Sequence, residues 1–254
     1  MRRIVIAILV LAALCVIAPD GPAQAYKFKA DPKVSVWGGM VRISLENRLN
    51  TTIYLPARPM WSIYDAGNQL VYLADAPMIV TPVGPYKTVV WSWMQKDLNN
   101  RQVPCGSYQA RCYYTTGPGS PYLTASFMIA DSAVEVIGEP RPGSKITLGL
   151  ASRTSTKLFY CVGLSFGTTP GIPLPKGRTL PLNYDQLFLM SQTVGAPIFR
   201  NFTGWLDGDG RAQAAILIPN QPALRGYSFY TAFATFDSAA PGGVRDFSPA
   251  TKIQ

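Results

Sequence analysis

The spacing with the most chemical content in this sequence is Leu206-Asp-Gly-Asp-Gly-Arg211, where Asp207 and Asp209 stand as the first two ligands of an EF-hand calcium loop would. Such a loop needs an oxygen ligand at its fifth position and an acidic residue at its twelfth. Those positions hold Arg211 and Ile218. The motif therefore predicts a tight Gly-rich turn, and no metal or other cofactor is expected. Paired carboxylates can hydrolyse glycosides without histidine, but the acidic residues here sit mostly in turn contexts such as Asp65, Asp97 and Asp207. The chain has no histidine at all. That removes the Ser-His-Asp triad, the Cys-His pair, the imidazole base and His-ligated zinc or haem. Cys105, Cys112 and Cys161 lack a base to hold a thiolate. If 105–112 is one extended strand, its end sulfurs lie about 20 Å apart and cannot bond. An odd count leaves at least one thiol over. No enzymatic activity is expected.

What remains is recognition. Five Trp and 13 Tyr invite a carbohydrate platform, although rings in strands more often fill a core. Trp91 and Trp93 alternate with Val90 and Ser92, so both face one side of a strand, and they are the best candidates for exposed rings. The apolar, Pro-rich stretch Ala74–Lys87 is the best candidate for a protruding loop, with Pro77, Met78, Pro82 and Tyr86 as its contact residues. Asn50-Thr-Thr52 and Asn201-Phe-Thr203 match glycosylation sequons and are expected to be ordinary turn and strand-edge residues.

These residues need elements to hold them. Arg2 and Arg3, the uncharged apolar run Ile4–Ala18 and the small-x-small site Ala23-Gln-Ala25 form a secretory leader pattern, with cleavage expected before Tyr26. A run of about 15 residues is short of the roughly 20 that span a bilayer. The protein is therefore expected to be secreted, periplasmic or at the cell surface, with no transmembrane segment after cleavage. Loss of Arg2, Arg3 and Asp20 takes the formal charge from +9 to +8. That charge is spread evenly and without a Lys/Arg run, so nucleic acid is not an expected partner. An unknown protein or glycan is.

The body of the chain reads as short strands separated by turn residues. Val41–Leu45, Thr51–Leu55, Trp61–Tyr64, Gln69–Tyr72, Thr88–Trp93, Ser107–Tyr114 and Tyr122–Ile129 give about seven strands, the count of an immunoglobulin-like sandwich. Residues 131–145, with Gly138-Glu-Pro-Arg-Pro-Gly143 at their centre, are expected to be a linker. A second β-rich block follows, with strands at Ile146–Leu150, Lys157–Phe166, Gly204–Leu206, Ala212–Ile218 and Tyr227–Phe236. Pro170–Pro181 is expected as a long loop and Asp185–Ser191 as a short helix. The fold class is all-β: a leader (1–25), an immunoglobulin-like sandwich (26–130), a short Pro/Gly linker (131–145) and a second sandwich (146–254).

Two resemblances attach to these segments. The stretch Val41–Tyr114 resembles the BsuPI-type proteinase-inhibitor domain, an immunoglobulin-like β-sandwich. The resemblance is carried by the strand pair LENRLNTTIYL (45–55), by WSIYDAGNQLVY (61–72) and by VVWSWMQKDLNNRQVPCGSYQA (89–110). In its P-x-G-x-Y corner, Pro104 and Gly106 turn the chain and Tyr108 re-enters the core. The block Ser144–Gln254 is similar to a C-terminal β-domain of secreted proteins from planctomycetes and related bacteria, on LFYCVGLSFGTTPGIPLPKGRTLPLNYD (158–185), GWLDGDGRAQAAILIPNQPALRGYSFYTAF (204–233) and FSPATKIQ (247–254). The first implies a proteinase inhibitor as one function, and the second implies export and fold. The leading expectation is a secreted binding or scaffolding protein of unknown ligand. A proteinase inhibitor and a carbohydrate-binding module are the alternatives.

Overall fold

Asp-initiated turns set the frame of this molecule. Asp65–Gln69, Asp97–Arg101 and Asp207–Arg211 share one construction. The fourth residue donates its N–H to the Asp carbonyl, and the fifth donates to the Asp carboxylate at 2.8–2.9 Å while its carbonyl accepts the Asp N–H. The fourth position is left-handed in each, at φ 61°, 60° and 71° for Asn68, Asn100 and Gly210, the residue types that tolerate it. At Gly210 a Cβ would also lie 2.0 Å from the Ser152 carbonyl oxygen.

The computed structural model describes residues 25–56, 60–74, 80–114, 122–193 and 196–254. It is an all-β protein. Its first ten strands are β1 (Tyr26–Asp31), β2 (Val34–Val36), β3 (Val41–Asn47), β4 (Ile53–Leu55), β5 (Trp61–Asp65), β6 (Leu70–Leu73), β7 (Thr81–Val83), β8 (Thr88–Trp93), β9 (Gly106–Tyr113) and β10 (Tyr122–Ala130). Sheet β1-β3-β8 faces sheet β2-β10-β9-β5-β6, in which β2 runs parallel to β10 and the other pairings are antiparallel. The core between them includes Ile43, Leu45, Ile63, Trp93, Ala110 and Ile129.

Two features of this half depart from the sequence reading. β3 and β4 are not a strand pair: β3 lies between β1 and β8, while β4 pairs β7. The reason is Asn47, fully buried, whose amide nitrogen reaches the carbonyls of Thr51, Val83 and Gly84 at 2.8–3.0 Å and whose amide oxygen accepts from Leu49 N–H. It steers the chain out of one sheet into the β4–β7 ribbon. Trp91 and Trp93 do share a face of β8, but it is the inner face. Trp93 is 2% exposed, packed 5.9 Å from Tyr108 and 5.8 Å from Phe127, and Trp91 is half-buried 6.1 Å from Trp61. Opposite them on β3 are Val41 and Ile43, both fully buried, so the alternation turns Val90 outward instead.

The corner before β9 forms around Tyr108, whose hydroxyl donates to the Pro104 carbonyl at 2.7 Å. Burial pushes this phenol up to about 12. Gln95 is fully buried and supplies the second polar tie. Its amide oxygen accepts from Gly38 N–H, and its amide nitrogen donates to Ser35 Oγ and the Val36 carbonyl.

The second half contributes β11 (Ser132–Ile137), β12 (Lys145–Ser152), β13 (Phe159–Ser165), β14 (Ile172–Leu174), β15 (Arg178–Leu180), α1 (Gln186–Ser191), β16 (Phe199–Arg200), β17 (Thr203–Trp205), β18 (Arg211–Leu217), β19 (Phe229–Phe236), β20 (Val244–Phe247) and β21 (Thr251–Ile253). Sheet β11-β12-β18-β16 faces β17-β13-β19-β20, with β21 also on β19. A second core lies between them, built on Leu148, Leu150, Val162, Leu164, Phe233 and Ile253. The stretch 131–145 is not a linker. Its first part, Ser132–Ile137, is β11, paired along its whole length with β12, and Gly138–Ser144 is the connection between these two strands. Val134 and Val136 alternate toward the second core, which overrides the turn signals that follow them. The expected loop 170–181 holds the β14–β15 hairpin. Arg178 anchors that hairpin by donating to the carbonyls of Pro241 and Val244, both at 2.9 Å. The short helix is present. Among the described residues no helix is long and apolar enough to cross a membrane.

Tyr108→Phe keeps the ring packing and removes the hydroxyl's bond to the Pro104 carbonyl, which costs about 0.5–1.5 kcal/mol. The urea midpoint at pH 7 should fall with little change in the slope of the transition.

Candidate functional site

At one end of the second sandwich the two sheets part. Between the end of β13, the end of β18 and the start of β19 lies a cleft of about 390 Å³, within the size range of small-ligand pockets. Its floor is core: Leu164 and Ile216 are 1% and 4% exposed. Its walls include Leu187, Ile198, Phe199 and Leu224, and over its mouth stand Phe166 and Tyr227, which are 54% and 64% exposed.

The cleft keeps its shape through polar ties behind the wall. Asp185 caps α1 by accepting from Phe188 N–H at 2.9 Å, while its other oxygen takes the Ser165 hydroxyl at 2.7 Å and Phe166 N–H at 2.8 Å. Burial alone would raise this carboxyl, but the N–H of Phe188, the Ser165 hydroxyl and the N–H of Phe166 outweigh it and hold it below the ordinary carboxylate range. Ser191 closes the other end of the helix by accepting from Leu164 N–H. Beneath α1 stands Gly163, where a Cβ would come within 2.8 Å of Leu182 and 2.9 Å of Phe188. The helix thus lies directly on β13 and carries Leu187 to the cleft.

Arg141 is the one ionisable residue other than Tyr227 among the lining residues, and its guanidinium is paired with Glu139. The lining offers neither a carboxylate nor a thiol. What the arrangement can do is hold an apolar group. The lining residues come from six separate stretches of chain and share no motif. The nearest signals are the prolines of Pro140-Arg-Pro142, which the sequence reading placed in a linker, and Pro219 just after β18.

The sequence-nominated contacts lie elsewhere and are not brought together. Trp93 is core and Trp91 half-buried. Pro77 and Met78 lie outside the described residues. Pro82 is exposed on β7, and Tyr86 is 70% exposed in a left-handed turn at φ 55°. The exposed tryptophan is Trp205, 70% exposed on β17 and edge-on to Phe159 at 5.7 Å. Asp207 spends its carboxylate on the N–H groups of Asp209 and Arg211, so the DGDG segment is the tight turn its glycines predict.

No cysteine is disulfide-bonded among the described residues. Burial pushes the Cys112 thiol up to about 12 and Cys161 up to about 11. Cys105 is exposed, and its thiol is raised by partial burial and by the Asp131 carboxylate.

No family model and no curated protein matches this sequence. Among solved structures, the Pseudomonas fluorescens alkylpurine DNA glycosylase AlkC, bound to DNA containing an abasic site analog, aligns over 42% of this chain and 30% of its own, at 13% identity and TM-score 0.29. The Yersinia pseudotuberculosis adhesin InvE aligns over 91% of this chain and 58% of its own, at 12% identity and TM-score 0.25. Likenesses this weak carry no argument about function.

Asp185→Ala should cost about 1 kcal/mol at pH 7. A carboxyl held low contributes above the ordinary carboxylate range and loses that contribution as pH falls through it. The gap in urea midpoint between wild type and variant should therefore narrow toward pH 3. Alkylation of native residues 26–254 with iodoacetamide at pH 8 should modify Cys105 alone, read by peptide mass, with Cys112 and Cys161 reacting only after unfolding.

Proposed function

We propose that this is an exported, non-enzymatic binding protein that holds an apolar element of its partner in the cleft of the second sandwich. The observation that carries the reading is Phe166 and Tyr227, two large rings more than half exposed over a cavity floored by core. Contiguous exposed apolar surface of this kind marks interaction sites and ligand grooves. The leader pattern, the missing histidine and the cleft's lack of catalytic groups support binding rather than turnover. The inhibitor alternative rests on the Ala74–Lys87 loop, of which Tyr86 is the prominent described residue. The carbohydrate alternative passes from Trp91 and Trp93 to Trp205.

The test is a fluorescence titration of residues 26–254 with N-phenyl-1-naphthylamine, an uncharged apolar probe. Saturable one-to-one binding is expected, weakened about tenfold or more, or about 1.4 kcal/mol, by Leu224→Asp at an unchanged urea midpoint. Leu224 lies in a short surface turn, so the charge enters the cleft wall without disturbing a sheet. Absence of saturable binding, or equal binding by the variant, rejects the reading.

A further inference from the structure

The outer face of the first sandwich carries a different construction. On β5, β9 and β10 the residues pointing away from the core come into register as Ser62–Arg111–Thr124 and Tyr113–Tyr122, with Tyr64 opposite Gln109. The Arg111 guanidinium lies 3.9 Å from the Tyr64 ring centroid and 5.0 Å from that of Tyr122. Its Nε donates to Gln109 Oε1 at 2.8 Å, and one Nη2 hydrogen goes to Asn68 Oδ1. It makes no ion pair among the described residues. Three of its five N–H bonds remain, including a pair across Nη1 and Nη2 that matches the two oxygens of a carboxylate. The outward positions of β5, β9 and β10 carry hydroxyls, amides and Met128 but no Asp or Glu. Beneath them the Ser62 hydroxyl is fully buried, on the same face and directly opposite Arg111, with the Tyr113 hydroxyl as a neighbour.

We propose that this face is an anion-binding site for a carboxylated polysaccharide, with Arg111 taking the carboxylate of a uronic acid unit. Rings on two sides hold the guanidinium in one plane, so little of its freedom is lost on binding. Tyr122, 43% exposed, offers a ring face to the C–H face of the same pyranose, while Tyr64 and Tyr113, whose hydroxyls lie 3.4 Å apart, reach its hydroxyls. An acidic peptide supplies the charge but no flat C–H face for the ring. Charge complementarity favours the anionic polymer over a neutral one: among the described residues the cation has no ion-pair partner and the outward positions of β5, β9 and β10 hold no carboxylate, in a chain of net charge +8 after leader removal. The site is separate from the apolar cleft, and the inference does not rest on it.

The test is calorimetric titration of residues 26–254 with a galacturonate decamer, its methyl ester and a glutamate decamer. The galacturonate oligomer should bind saturably, with affinity falling as salt rises, and the ester should bind at least tenfold more weakly. Arg111→Gln should lose at least tenfold. Arg111→Lys, which keeps the charge and the stem, should lose less than Arg111→Gln but fall short of wild type. Tyr122→Ala should lose severalfold at an unchanged urea midpoint, and Leu224→Asp should bind as wild type does. Equal binding of the ester, equal binding of the glutamate decamer, or no effect of Arg111→Gln would each overturn the proposal.

Discussion

Every chain reversal in a protein of short strands strands backbone donors and acceptors where water does not reach, and each must find a partner inside. Here a small set of side chains takes them up. Asn47 gathers three carbonyls and one N–H. Gln95 joins the Ser35–Gly38 segment to the end of β8. Asp185 and Ser165 tie β13 to the start of α1. Three Asp carboxylates close surface turns in one repeated pattern. Removing one partner of such a bond exposes the full desolvation cost of the other. These contacts therefore fix the path of the chain more firmly than any single apolar pair.

The same ties decide which surfaces remain for recognition. Asp185, Ser191 and Gly163 press α1 onto β13, and that position opens the cleft between the sheets rather than filling it. In the first sandwich, Tyr108 and Trp93 take the inside of the sheets, and the period-two alternation then sends Tyr64, Arg111, Tyr113 and Tyr122 to the outside. One half thus presents an apolar concavity and the other a stacked cation on an open sheet. The two surfaces suit ligands of opposite character. The exposed Trp205 adds a third aromatic surface, on the outer face of the second sandwich.

Much of this was legible in the residues. Alternation located β3, β8, β9, β12 and β18 to within two residues at either end, because a strand with one buried face imposes period two on its sequence. Asp-Ala-Gly-Asn and Asp-Gly-Asp-Gly announced their turns through local bonds that need no distant partner. The short helix expected over Asp185–Ser191 is present as Gln186–Ser191, with Asp185 as its N-cap. The corner at Pro104–Tyr108 was legible for the same local reason, since the tyrosine reaches back only four residues.

What the sequence determined by itself was therefore local and periodic: the all-β class, the turns, the short helix at Gln186–Ser191, and the lack of imidazole chemistry. What only the tertiary structure decided was inside against outside, and neighbour against neighbour. Trp91 and Trp93 share a face by alternation, but whether that face meets solvent depends on the sheet opposite. Val134 and Val136 become strand rather than linker because β12 is there to pair with them. The cleft collects side chains from six stretches, and the Arg111 cluster collects them from three strands and a turn. A period of two fixes which residues share a face of a strand. It leaves open what covers that face, because covering is a property of the other layer.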